Sequence, residues 1–425
     1  MADRPRLDSW KEIASHLGRD VRTVIRWERN RGLPVYRVPG GKLSRVFAYP
    51  GELDQWLAAG GVESEAGQAA ATAPRSARSS RRWIVAAAIA GVAAAGVIGW
   101  GLMRAAVPLR ELRVVGNDLR AVDAAGRTRW THSLGSSELE APEALWTHVG
   151  DADGDGQQEI FAAMELRHPT LSQHAGALTS FSPDDGRARW SVTASDRLRF
   201  GDGVYGPPWA ASGLTVYRTP TGARVAWALH HFTWWPGLLM TLDADGRRLG
   251  SFVNSGWIRA TAPSRDGRPL LMTGIANSQQ AYVFAVLDAA NPSGHSPEPP
   301  GSRMECLDCP AGGPLQYVVF PRTDVSHQQP FPGPGPTLMT FDDGSVHVHA
   351  LESSGPNIAA MIYEFAPDLT LRGARFSDSF WEWHRRLEAD GKIRHSSDEC
   401  PERGGLEVRH WAPENGWTTL KVPVQ

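Results

Sequence analysis

"LRAVDAAGRTRW" runs from Leu119 to Trp130, "LTSFSPDDGRARW" from Leu178 to Trp190, and "LMTLDADGRRLG" from Leu239 to Gly250. Each reads as a strand, a tight polar turn and a returning strand. Their turn glycines, Gly126, Gly186 and Gly246, recur at a spacing of 60. "AYVFAVLDAANPSG" from Ala281 and "MIYEFAPDLTLRG" from Met361 look like degenerate copies. Repeated four-stranded units of about 40–60 residues point to an all-β propeller. At that spacing residues 104–425 allow about five to seven blades. A pair of β-sandwiches is the competing architecture, and it would not need a repeat.

One phrase within this region carries chemistry. "DADGDGQQE" occupies Asp151 to Glu159. Carboxylates at its first, third, fifth and ninth positions and a main-chain carbonyl at its seventh surround a hard cation with oxygen. The pattern assigns Asp151, Asp153, Asp155 and Glu159 as side-chain ligands, and Gln157 as a carbonyl ligand, of one Ca2+. Calcium suits the phrase better than magnesium because it accepts many oxygens in a flexible cage. Gly154 and Gly156 let so short a loop wrap tightly. No EF-hand is implied: no helix precedes the loop, and Ala162 stands where a bidentate glutamate would be needed. The loop itself holds no basic residue to neutralise its carboxylates. An acidic turn that binds nothing is the plain alternative. The phrase and its setting resemble FG-GAP repeats of integrin-α-type propellers. The "LRAVDAAGRTRW" phrases equally resemble blades of quinoprotein-type propellers. "SRDGRPLL" from Ser264 looks like a copy that lost its carboxylates.

Upstream lies "RRWIVAAAIAGVAAAGVIGWGLMR", from Arg81 to Arg104. The stretch 83–103 holds no charge, although the chain's mean hydropathy is negative. As a helix it would be roughly 31 Å long, about the hydrocarbon thickness of a bilayer. Trp83 and Trp100 lie near its ends, where indoles favour the interface. It starts too late for a cleaved signal peptide. A buried core helix is the competing reading. Arg75, Arg78, Arg81 and Arg82 precede it without an acid among them, whereas Glu111 interrupts the arginines that follow. The denser basic flank places residues 1–82 in the cytoplasm and 104–425 outside the inner membrane. Gly91, Ala95 and Gly99 form a small-residue face that could pair two such helices, and a homodimer would follow from that pairing.

The chain has 425 residues and a formal net charge of −2, divided unevenly. Residues 1–82 hold 15 Lys/Arg against 9 Asp/Glu, and residues 104–425 hold 29 against 37. The basic end suits a polyanionic partner. "LDSWKEIASHLGRDVRTVIRWERNRGLPVY" reads as two short helices. Asp8 or Ser9 can cap the first, with Glu12 placed for a capping box, and Asp20 caps the second. Trp10, Ile13, Ala14 and Leu17 give the first an apolar face. Val21, Val24, Ile25 and Trp27 face inward on the second, and Arg22, Thr23, Arg26 and Arg29 face outward. "VYRVPGGKLSRVFAYP" follows as a hairpin with Lys42 and Arg45 near its tip. "GELDQWLAAG" closes the unit with Leu53, Trp56 and Leu57 on one face.

From Leu7 to Leu57 these features resemble the winged helix-turn-helix domains of the MerR/excisionase type. The resemblance rests on "W.EIA..LG....TV.RWE...GLPV", the basic hairpin and the closing "ELD.WL". It implies a small α+β domain binding double-stranded DNA, usually as a dimer. Arg22, Thr23, Arg26 and Arg29 would then face base edges, with Lys42 and Arg45 on the wing. The family's long coiled coil is missing here. Residues 61–82 are Ala-, Ser- and Gly-rich and read as a flexible basic linker.

Other constellations carry less. His347 and His349 share one face of a strand, without a third ligand. His230 and His231 belong to an aromatic cluster. Cys306 and Cys309 lack a thioredoxin-like setting, and a local disulfide is expected in an oxidising compartment. No nucleophile elbow, phosphate loop or paired acid and base stands out, so no enzyme is expected. The parts combine as a multidomain chain: a winged helix (1–60), a linker (61–82), a transmembrane helix (83–103) and an extracytoplasmic propeller (104–425). This layout resembles membrane-bound one-component regulators of the ToxR/CadC style, sensing an unknown extracytoplasmic ligand or protein. The alternative is a membrane-anchored calcium-binding propeller for extracytoplasmic ligand binding or enzymology, with its head as a protein-docking module.

Overall fold

The computed structural model describes residues 6–37, 46–58, 107–141, 143–167, 174–201, 203–232, 236–299, 301–329 and 335–425. They belong to two compact units, within residues 1–100 and 101–425. The expected linker and membrane span, and the hairpin tip with Lys42 and Arg45, lie outside the described residues. Among the described residues no helix is long and apolar enough to cross a membrane.

The smaller unit runs α1 (Trp10–His16), α2 (Val21–Arg31), β1 (Tyr36–Arg37), β2 (Val46–Phe47) and α3 (Pro50–Ala58). Ser9 caps α1 by accepting the Glu12 N–H at 3.2 Å, while the Glu12 carboxylate accepts the Asp8 N–H at 2.9 Å. These reciprocal bonds satisfy donors that the first turn leaves unpaired. Asp20 caps α2, and Gly32, in the left-handed region at φ 64°, ends it. Ile13, Ala14, Val24, Trp27, Leu33, Val46 and Leu53 make the core. Val21 and Leu57, expected inside, are 37% and 38% exposed. Each sits in a terminal turn of its helix, past the buried stripe.

The larger unit is mostly β and propeller-like in construction. Its first sheet is β3 (Leu109–Val115), β4 (Asp118–Asp123) and β5 (Thr128–Ser133). The second joins β6 (Glu138–Leu139), β7 (Leu145–Gly150), β8 (Glu159–Arg167), β9 (Ala175–Phe181) and β10 (Ala188–Val192). A small pair follows, β11 (Leu198–Phe200) with β12 (Gly203–Tyr205). The third sheet is the meander β13 (Ala210–Thr219), β14 (Gly222–His230), β15 (Gly237–Leu242) and β16 (Arg248–Asn254). The fourth takes β17 (Ile258–Pro263), β18 (Pro269–Ala276), β19 (Ala281–Asp288) and β21 (Gln316–Val319), whereas β20 (Gly294–His295) crosses to pair parallel with β16. The fifth is the meander β22 (Pro336–Thr340), β23 (Val346–Leu351), β24 (Ala360–Phe365) and β25 (Leu371–Phe376). The last strands, β26 (Leu406–Ala412) and β27 (Gly416–Val422), extend the fourth sheet beyond β21. Two helices lie between strands, α4 (Asp324–His327) and α5 (Asp378–Ala389).

Successive sheets share cores. Ile160, Ala162 and Met164 of β8 pack with Leu112, Leu119 and Trp130 of the first sheet. Phe161 and Ala163, pointing the other way, pack with Val225, Trp227 and Leu229 of β14. Ala226 and Ala228 then meet Val283, Ala285 and Leu287 of β19, whose Tyr282, Phe284 and Val286 face Val348, Met361 and Tyr363 of the fifth sheet. Two-sided burial requires apolar residues at every position of an inner strand, which removes the period-two alternation. The outermost meander recovers it: along β23 buried and half-buried residues alternate. Among the described residues no apolar cluster combines the first sheet with the fifth.

The repeated turns interlock. Trp130 Nε1 donates to the Pro183 carbonyl at 3.0 Å, and Trp190 Nε1 donates to the Ala244 carbonyl at 3.0 Å. Each indole lies on the turn glycine of the next copy: a Cβ on Gly186 would overlap the Trp130 ring, and one on Gly246 would come within 2.6 Å of Trp190. Both glycines also have positive φ, 71° and 83°, which side chains disfavour. In the third copy Gly250 replaces the tryptophan, and the Asn291 side chain fills the space. Asn291 stands where Gly246 would, and it is followed by Pro292. A following proline steers a residue away from helical conformations. The "AYVFAVLDAANPSG" segment therefore forms no hairpin and continues into β20, in contrast to the expected copy.

Trp190→Phe removes the N–H and part of the ring over Gly246, so urea unfolding of the purified chain is expected to show a loss of at least about 0.5–1.5 kcal/mol. Gly246→Ala combines strain with overlap and is expected to cost more. The reverse order would contradict the interlock.

Candidate functional site

The first candidate surface is on α2. Arg22, Arg26 and Arg29 are exposed. Spaced by four and three residues, they share one helix face. None of them makes an ion pair among the described residues, whereas Arg37 on β1 pairs with Glu28 at 2.9 Å. Like charges one turn apart oppose the helix by a few tenths of a kcal/mol. Thr23, also expected on this face, is half-buried and committed to the cap. Its hydroxyl donates to Asp20 Oδ2 at 2.7 Å and its N–H to Asp20 Oδ1 at 2.9 Å. These two bonds, the hydroxyl first, hold the Asp20 carboxyl below the usual carboxylate range.

The second candidate is the loop 151–158, which joins the antiparallel strands β7 and β8. Donor oxygens of Asp151, Asp153 and Glu159 lie within 4.8 Å of one another. The two aspartates are exposed and Glu159 is 8% exposed. Asp155 is not part of this group. Its carboxylate accepts the Gln157 N–H at 2.7 Å and the Gln157 side-chain amide at 2.9 Å. The loop's own amides answer the other carboxylates: Asp151 accepts from Gly154 and Gly156, Asp153 from Asp155, and Glu159 from Ala152 at 2.8 Å. Burial is the main cause that raises the Glu159 pKa; Asp153, Asp155 and Asp151 add to it, against the Ala152 N–H.

A basic residue does reach the loop, from elsewhere in the chain. Arg218 of β13 lies 3.4 Å from Asp151 Oδ1 and donates to the Ala152 carbonyl at 3.4 Å. It passes so close that a Cβ on Gly154 would overlap its guanidinium. Sixty-odd residues of sequence separate Arg218 from Asp151, so local spacing could not reveal it.

The remaining histidines are packed. His230 packs against Trp257 with ring centroids 4.4 Å apart and planes tilted by 41°, and His231 meets Tyr205 and Trp209 edge-on. His347 lies 4.0 Å from Glu364, and His347 and His349 have ring centroids 6.4 Å apart on β23. Cys306 and Cys309 form a disulfide. A further donor group, Asp324, His384, His395 and Cys400, escaped the sequence reading because Asp324 lies on α4 and the other three are irregularly spaced along the connection between β25 and β26.

No protein-family model matches the chain, and no curated protein matches it. Among solved structures, rhamnogalacturonan lyase YesW aligns at 12% identity over 72% of this chain and 66% of its own, with a TM-score of 0.28. The exotype rhamnogalacturonan lyase YesX aligns at 13% identity over 72% and 56%, with a TM-score of 0.29. The β-propeller domain of the Trilobed protease from Pyrococcus furiosus aligns at 9% identity over 65% and 83%, with a TM-score of 0.23. This chain spans less than two thirds of the length of the two lyases. Likenesses this slight establish neither family nor activity. The propeller-like character rests on the chain's own meanders and shared cores.

Because burial raises the Glu159 pKa, its ionised form burdens the fold. The protonated form is favoured below the raised folded pKa, and that benefit is lost as pH rises through it. Glu159→Gln keeps an oxygen for the Ala152 N–H and removes the charge. In a chelator at pH 7 this variant is expected to melt above the wild type, with the gap narrowing as pH falls. A lower melting temperature would contradict the assignment.

Proposed function

We propose that this chain is a bacterial membrane-bound one-component transcriptional regulator. Residues 1–60 would act as a winged helix-turn-helix of the MerR/excisionase type on cytoplasmic duplex DNA. Residues 83–103 would cross the inner membrane. Residues 104–425 would be an extracytoplasmic propeller of five to seven blades that senses a ligand or protein. The observation that carries the reading is the exposed arginine face of α2, without an ion pair among the described residues, within the order helix, helix, strand pair, helix. Among the described residues no carboxylate pairs with Arg22, Arg26 or Arg29, and duplex DNA supplies a counter-charge for them. The Cys306–Cys309 disulfide supports an oxidising location for the larger unit. A cleft of about 430 Å³ bordered by Arg322, His327, Glu407 and Arg409 has the size of a small-ligand site.

In this reading the loop 151–158 takes one Ca2+. Asp151, Asp153 and Glu159 are the nearest ligands, and Asp155 and the Gln157 carbonyl complete the cage once Asp155 releases Gln157. Arg218 holds a share of the same carboxylate field and competes with the ion. Calcium should stabilise the wild type, and the Glu159→Gln variant should lose most of that response.

The DNA reading is tested by fluorescence anisotropy of residues 1–60 fused to a leucine zipper, on a selected operator and a scrambled duplex. Arg22→Ala or Arg26→Ala is expected to cost about 1–3 kcal/mol and relax preference at one base. Loss of Lys42 or Arg45 should weaken both duplexes and reduce the salt slope by about one unit each. Equal binding to both duplexes, unaffected by either arginine change, would favour a protein-docking head instead.

A further inference from the structure

We propose that Asp324, His384, His395 and Cys400 form a closed zinc site that ties the connection between β25 and β26 to α4. Their donor atoms all lie within 4.8 Å of one another. His384 Nε2 and His395 Nε2 face each other at 3.2 Å, and His395 Nε2 lies 3.2 Å from Asp324 Oδ2. A tetrahedral Zn2+ with bonds of about 2.0–2.3 Å keeps its ligand atoms about 3.3–3.8 Å apart. These two separations are slightly shorter than a tetrahedron's edge, and the other four lie within 4.8 Å.

The surroundings favour a metal over a hydrogen-bonded cluster. His384 is fully buried and Cys400 is 3% exposed. Among the described residues His384 Nδ1 has no hydrogen-bond partner, and the ring's polar contact is His395 Nε2 at its other end. Two imidazole nitrogens in contact must otherwise share one proton beside a thiol. A cation that accepts lone pairs satisfies both rings, the sulfur and the carboxylate at once. Nitrogen and sulfur donors select zinc over calcium or magnesium. Four protein ligands leave no open position, so the site is structural. Glu402 orients two of them: its Oε1 accepts the Asp324 N–H at 2.6 Å, and its Oε2 faces the Cys400 thiol at 3.1 Å. When zinc binds, the Cys400 S–H bond breaks, its proton passes to Glu402 Oε2, which then donates back to the sulfur, and a Zn–S bond forms.

The location explains the need. Residues 377–405 leave the sheets between β25 and β26, carrying α5 and a short 3-10 turn (Pro401–Gly404). Phe380, Leu387 and Ile393 anchor this connection to the core beside Val325. The metal would fasten its polar side to α4.

The test uses the full chain in detergent, stripped of metal and given Co2+. One cobalt per chain is expected, with tetrahedral visible absorption and a thiolate-to-cobalt charge-transfer band. With Cys306 and Cys309 in their disulfide, Cys400 is the one thiol that can supply that band. Cys400→Ser should abolish it and lower the zinc content from one per chain toward zero. Glu414→Gln, at an exposed carboxylate outside both donor groups, should leave both unchanged. A wild-type spectrum without the thiolate band would overturn the proposal. So would a zinc content unchanged by both Cys400→Ser and His395→Asn.

Discussion

The larger unit depends on sheets that are buried on both faces. A sheet wedged between two others has no solvent side, so each inner strand must offer apolar residues at successive positions. β8, β14 and β19 do so, and each divides its odd and even side chains between two cores. This arrangement leaves the polar turns as the places where neighbouring sheets can be keyed to one another. Trp130 and Trp190 do that keying. Each covers a glycine that has no Cβ to obstruct it, and each gives its N–H to a turn carbonyl. At Gly250 and Asn291 the bulky partner changes sides and the contact persists.

Charge is handled differently at the candidate sites. The carboxylates of the loop 151–158 are answered by the loop's amides and by Arg218, so the acid concentrated there is partly compensated. Arg22, Arg26 and Arg29 of α2 have no such answer among the described residues. An uncompensated cationic face on a small unit is weakly destabilising, and a polyanion removes the penalty. The cluster around Cys400 is a third case, in which convergence rather than net charge is what needs resolving.

Local features were legible in the sequence. The caps at Ser9 and Asp20 and the strand–turn–strand phrases all follow from interactions within a few residues. Three things were not. Arg218 approaches Asp151 through the stacking of sheets. Asn291 resembles a turn residue, but Pro292 denies it the turn conformation. His384, His395, Cys400 and Asp324 have no common spacing and meet through the packing of α5 and α4. Thr23 shows the limit even at short range: its position on the outward face was readable, but its commitment to Asp20 was not.

The proposed function requires the two ends of the chain, the arginine face of α2 and the Cys306–Cys309 disulfide, to lie in different compartments. Fusion of alkaline phosphatase, and separately of GFP, after Gln425 in the full chain measures this directly. Active phosphatase with dark GFP is the predicted result. Bright GFP without phosphatase activity would contradict it.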